Sequence, residues 1–144
     1  MENKYYTPKI EEFHVGFEYE ARSTFGTGTP WMKDTVRYAE QIVALRINDP
    51  YKQGELRVKY LDREDIESEG WECTSRRSFP DKPPVLLFDM IINDKAYGIS
   101  LRENSTFLEV IERDRRNGNH ISNLFQGTIK NKSEFKKLLK QLGI

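Results

Sequence analysis

Phe13, Val15, Phe17 and Tyr19 alternate with His14, Gly16, Glu18 and Glu20, and this period of two predicts a half-buried first strand over residues 13–20. The Gly- and Thr-rich segment from Arg22 to Trp31 predicts a loop or a wide hairpin connection. Residues 31–47 carry two patterns at once. Val36, Ala39, Ile42, Val43 and Leu45 partly fit a helical stripe, while the β-branched Thr35, Val36, Ile42, Val43 and Ile47 suit strands; the balance favours strand over 42–47. A turn cluster from Asn48 to Gly54 then leads into a second alternator, Glu55 to Leu61, with Leu56, Val58 and Tyr60 inward.

Asp62 is placed to cap a short acidic helix over 63–69, with Glu64 and Asp65 in the first turn, where the helix dipole favours negative charge. Gly70 stops that helix, and Trp71 is expected to fold back into the core. Residues 74–84, with three prolines and no period, predict an irregular connector and exclude an interior strand or helix. Beyond them, Val85–Ile92, Ala96–Leu101, Thr106–Arg113 and Ile121–Ile129 read as four strands, separated by turn signals that include Asn93-Asp94 and Asn117-Gly118. Loops this short predict an antiparallel meander. In the last segment Asn131 and Glu134 resemble a capping box, Phe135, Leu138, Leu139 and Leu142 form a helical stripe, and Gly143 ends it. The expected fold is therefore α+β: an antiparallel β-sheet of about six or seven strands, a meander in its second half, a C-terminal amphipathic helix packed on one face, and one short acidic helix.

At 144 residues, with 37% hydrophobic and 32% charged positions, the chain is expected to fold as a single domain, residues 1–144, rather than to remain disordered. Its one cysteine, Cys73, cannot form an internal disulfide and reads as a small, partly buried hydrophobe; this favours a reducing, cytoplasmic setting. No charged-then-apolar leader opens the chain and no apolar run nears the ~18 residues that would span a bilayer, so a soluble protein with no membrane partner is expected. Net charge is zero but unevenly spread. From Arg113 onward eight basic residues face two acids, a balance of +6 against −6 for the first 112 residues. That asymmetry has three readings: a basic surface for a polyanion such as nucleic acid, mutual attraction of the two halves, or the wet face of a lysine-rich helix.

Candidate chemistry is sparse. His14, Glu18 and Glu20 are metal-ligand types, but His14 and Glu18 would lie roughly 13 Å apart along a strand, so no metal site is expected there and no cofactor is implied. No glycine-flanked serine elbow, phosphate-cradling Gly-Lys-Ser/Thr loop or calcium-loop spacing occurs, which leans the reading away from an enzyme. Binding residues are more evident. Trp31 after the Gly/Thr segment, Arg76 and Arg77 beside Phe79, and Arg113, Arg115 and Arg116 before Asn117-Gly118 combine groups that stack on rings with groups that pair with phosphates. Against this stand a Trp31 buried for packing and loop arginines that serve solubility.

Three blocks of the chain carry a resemblance: Tyr5-Tyr6-Thr7-Pro8-Lys9-Ile10-Glu11-Glu12-Phe13-His14-Val15-Gly16-Phe17-Glu18-Tyr19-Glu20, the stretch Leu56–Trp71, and the stretch Gly127–Ile144. Together they resemble a group of uncharacterised small proteins common in phages and prophages of gut anaerobes. The resemblance brings no catalytic residues and leaves 72–126 uncovered. It implies a setting, that of a phage-type accessory protein in the cytoplasm of a bacterial host. The expected function is a non-enzymatic binder of a host macromolecule or a small anionic ligand, with inhibition of host defence or sequestering of a nucleotide signal as versions of it. A nucleic-acid-binding accessory protein using the basic C-terminal region is the first alternative, and an enzyme acting on nucleotides the second; a homo-oligomer is compatible with each.

Overall fold

A computed structural model describes residues 4–23, 29–49 and 54–144; Thr24–Gly28 of the Gly/Thr segment and residues 50–53 of the turn cluster lie outside them. The fold is α+β with antiparallel sheets and a C-terminal helix, and its strands are shared between a sheet of four and a sheet of five. The described residues form two compact units, residues 4–60 and residues 61–144, each with its own buried apolar cluster.

The 4–60 unit contains β1 (Tyr5–Tyr6), β2 (Glu18–Ser23), β3 (Met32–Thr35), α1 (Ala39–Ala44) and β4 (Gly54–Lys59), in sheet order β1-β4-β2-β3. Its core is Phe13, Phe17, Tyr19, Val36, Leu56 and Val58. The expected first strand is only half a strand. Phe13 and Phe17 are buried and stack at 4.6 Å, but Val15 between them is 60% exposed, because the chain turns at Val15-Gly16 before β2 begins. Gly16 makes that turn at φ +93, which costs a glycine little, and its N–H donates to the Val36 carbonyl at 2.7 Å. The expected strand over 42–47 is also replaced, by α1 and the turn that follows it. Val43 points to solvent at 78% exposure, so its β-branching found no sheet to pack in, while Ile42 and Leu45 lie against the core. Gln41 secures the helix start: its Oε1 accepts the Arg37 N–H at 3.0 Å and its Nε2 donates to the Tyr19 hydroxyl at 3.2 Å.

The 61–144 unit contains α2 (Arg63–Ser68), β5 (Glu72–Arg77), β6 (Val85–Ile92), β7 (Lys95–Arg102), β8 (Phe107–Arg113), β9 (His120–Thr128) and α3 (Lys132–Leu142). The five strands form a meander in sequence order. Asn93 and Asp94 both take positive φ, 49° and 64°, in a two-residue turn whose twist suits the β6–β7 hairpin. One face of the meander supplies Leu86, Phe88, Ile99, Leu101, Leu108 and Val110 to a core completed by Ile66 and Trp71 and by Phe135, Leu138 and Leu139 of α3. Burying each such side chain is worth about 1.5–3 kcal/mol. Asp62 caps α2 by accepting the Asp65 N–H at 3.0 Å, with the reciprocal bond from Asp62 N–H to Asp65 at 3.3 Å. Asn131 caps α3 through the Glu134 N–H at 2.9 Å, but the Glu134 carboxylate takes the Lys130 N–H, at 2.6 Å, one residue before the box position.

The expected connector over 74–84 is corrected in its first part. Thr74–Arg77 belongs to β5, at the edge of the sheet, and the irregular chain holds Pro80, Pro83 and Pro84. An edge strand needs only one partner, so the prolines that follow exclude an interior strand without excluding this one. No helix among the described residues is long and apolar enough to cross a membrane.

Candidate functional site

The polar face of the four-stranded sheet gathers the groups with the most chemistry. Because Tyr19, Leu56 and Val58 point into the core, the alternate residues Glu20, Arg22, Glu55 and Arg57 must point out. The antiparallel register sets Glu20 opposite Arg57 and Arg22 opposite Glu55, so each base meets an acid. Arg57 grips Glu20 through a fork, Nε to Oε2 at 3.2 Å and Nη2 to Oε1 at 3.4 Å. Arg22 reaches Glu55 Oε2 through Nε at 2.7 Å and Nη2 at 2.6 Å.

Aromatic rings close around these cations. Ala21 pairs with Met32, which brings Trp31, one residue earlier, level with Arg22. The guanidinium carbon of Arg22 lies 4.6 Å from the Trp31 ring centre, and that of Arg57 lies 4.2 Å from Trp31 and 3.7 Å from Tyr5. Tyr5 arrives from β1, where it pairs with Lys59, two residues from Arg57 and on the same face. An open pocket of about 490 Å³ is lined by Tyr5, Thr7, Trp31, Glu55 and Arg57. A second pocket of about 330 Å³, lined by Arg22, Leu45 and Arg46, shares Glu55 and Leu56 with the first. Such a surface can stack a planar group, and it pairs with an anion where that anion displaces a glutamate from its arginine.

Of the residues singled out from the sequence, Trp31 belongs to this site, half-buried, and the arginines belong to the other unit. They do not form one cluster there. Arg76 and Arg77 end β5 beside Val85 and Arg102, whereas Arg113 stands at the opposite end of the meander, across from Ala96 and His120. Arg76 forks onto Glu103 at 2.9 and 3.0 Å, and this hydrogen bond holds the Glu103 carboxyl below its usual range. Arg77 is exposed and makes no ion pair among the described residues. Arg113 lies over Gly98 with Nη1 3.9 Å from Asp89 and with Nε buried and without a partner among the described residues. Arg115 pairs with Asp94, and Arg116 is exposed, its main-chain N–H donating to Asp114 at 2.7 Å.

The other candidate groups have local roles. His14 Nδ1 lies 3.0 Å from the Val15 carbonyl oxygen, and His120 Nε2 lies 2.7 Å from Asn123 Oδ1. Among the described residues no three of His, Cys, Asp and Glu gather as a metal site would require. The basic C-terminal stretch is partly spent within its own unit: Lys132 and Lys136 of α3 stand 4.0 and 3.8 Å from Glu69, just past α2.

Arg22, Arg57 and Tyr5 were not singled out from the sequence, although a signal for two of them is present. Both Glu20-Ala21-Arg22 and Glu55-Leu56-Arg57 read Glu-x-Arg, and two such triplets run antiparallel match acid to base at both ends. Compared with family models, curated proteins and solved structures, the chain matches none of them.

Proposed function

We propose that this protein is a non-enzymatic binding protein that takes an anionic ligand on the polar face of its four-stranded sheet. The observation that carries the reading is the Arg57 guanidinium held against Trp31 and Tyr5 in the lining of an open pocket of about 490 Å³, with Arg22 against the same Trp31 and in the lining of the neighbouring pocket. That volume suits a small ligand rather than a flat macromolecular surface. The resemblance to phage and prophage proteins supplies the setting, an accessory role in the cytoplasm of a bacterial host. A nucleic-acid role for the basic C-terminal region has less support, because two of its lysines already face Glu69.

The test is fluorescence titration of the full chain with a panel of small mono- and polyanions, at low and high salt, beside a Trp31→Phe control. Binding at the site quenches or shifts emission in the parent chain and leaves the control unchanged, and salt weakens it. A panel that moves neither the emission nor the melting temperature overturns the proposal.

A further inference from the structure

The two arginine–glutamate pairs of the pocket face are unequal, and the difference suggests what the site holds. Arg57 and Glu20 are well sheltered, their side chains 26% and 15% exposed, and their fork uses both carboxylate oxygens. Arg22 and Glu55 are 40% and 48% exposed, and both Arg22 nitrogens converge on the single oxygen Oε2. The first pair ties β4 to β2. The second is the shorter, at 2.6 and 2.7 Å, but it is the more exposed, so water screens and competes with it more.

Glu55 is also the acid that lines the pocket, and it stands in the wall shared with the neighbouring pocket that Arg22 lines. Swinging its carboxylate away would free the Arg22 guanidinium, while Arg57 stays against Trp31 and Tyr5 and paired with Glu20. A ligand that profits from this needs a planar ring for the aromatic and guanidinium faces and, a short distance away, an anion that outcompetes one carboxylate for a guanidinium. A phosphate ester does so, with more oxygens and up to twice the charge.

We infer that the pocket accepts a mononucleotide, its base stacking at Trp31 and Tyr5, and that Glu55 in the free protein occupies Arg22 in place of the ligand's phosphate. The inference rests on the proposed binding site and adds to it a ligand class and an internal competitor. Glu55 thereby raises the threshold for weak or singly charged anions, which cannot displace it.

The experiment is isothermal titration calorimetry of the full chain and its Glu55→Gln variant with adenosine 5′-monophosphate, adenosine and inorganic phosphate. Removing the competitor should tighten the monophosphate by about twofold to fivefold, the range an exposed ion pair supports, with melting curves confirming that the variant folds. Adenosine and phosphate, each lacking half of the recognised chemistry, should bind more weakly than the monophosphate to either protein. If the monophosphate binds both proteins equally, or the variant more weakly, the competitor role of Glu55 is overturned and the binding site stands. If it binds neither while other anions still quench Trp31, the nucleotide class is overturned. If no anion does either, the site itself is overturned.

Discussion

Replacing Arg57 by Lys should loosen the 4–60 unit although the charge is conserved. Arg57 makes a two-point fork with Glu20 at 3.2 and 3.4 Å and lays a flat cation against Tyr5 at 3.7 Å and Trp31 at 4.2 Å. A lysine ammonium keeps one ion pair and loses the second arm of the fork and the planar face. One partly sheltered charge-assisted bond is worth about 0.5–1 kcal/mol here after discounting for solvent, and two ring contacts at an exposed site about 0.5 kcal/mol each. The expected loss is about 1.5–2 kcal/mol. Tryptophan emission can assign it to the right unit, because one of the chain's two tryptophans, Trp31, lies in the 4–60 unit and the other, Trp71, in the 61–144 unit. In a Trp71→Phe background, urea unfolding followed at Trp31 should show a lowered midpoint for Arg57→Lys, and a cycle with Glu20→Gln should show strong coupling. An unchanged midpoint would refute the claim that the fork and the stack, rather than charge alone, hold this face together.

Gly98→Ala should destabilise the meander by about 1–3 kcal/mol, because the added methyl would sit 2.8 Å from Arg113 Nε and 3.2 Å from Ile111 Cγ1. The cost should shrink when Arg113 is first replaced by Ala, a non-additivity readable from denaturation midpoints followed at Trp71. Asn131→Ala removes the buried cap of α3 and should cost about 1–2 kcal/mol, with Asn131→Asp recovering most of it in the same measurement. The Glu103 carboxyl is lowered by its hydrogen bond from Arg76, so its contribution is fully present above the unfolded carboxylate value and is lost as pH falls through the lowered folded value. Stability measured from pH 6 down to about pH 3 should therefore fall less steeply in Arg76→Gln than in the parent, by a small margin because the pair is exposed. Identical acid slopes would dismiss that linkage.

The elements readable from the sequence are those whose signals are local. Asp62 and Asn131 announce caps that the backbone satisfies within three residues, and Asn93-Asp94 announces a turn that needs only its own positive φ. Misreading begins where a local pattern is met by a tertiary constraint. Phe13 and Phe17 both reach the core as the alternation requires, but Val15 does not, because the Gly16–Val36 bond draws the chain into a turn. Residues 39–44 turn helical because Ile42 has a core to face and Gln41 has partners on Tyr19 and at Arg37, none of which the β-branched count registers. The candidate site was half legible. Trp31 declared itself as a large aromatic after a loop, while Arg57 became visible only once register placed it between Glu20 and two rings that come from β1 and from the start of β3.

The meander's outer ladders slip and its inner ones do not. β6 with β7 and β7 with β8 pair without interruption, whereas β5 shifts register between Cys73 and Ser75 and β9 shifts twice, opposite Val110/Ile111 and Glu112/Arg113. The strands that carry the irregularities are the two with an open side. A bulge twists an edge and breaks the straight row of N–H and C=O groups that another chain would template upon. Growth of this sheet into a fibre is thereby discouraged at both ends, and at high concentration the chain should resist polymerisation through this unit. A second copy adding a strand to the meander would meet an interrupted row of partners at either edge, which favours contact through side chains instead.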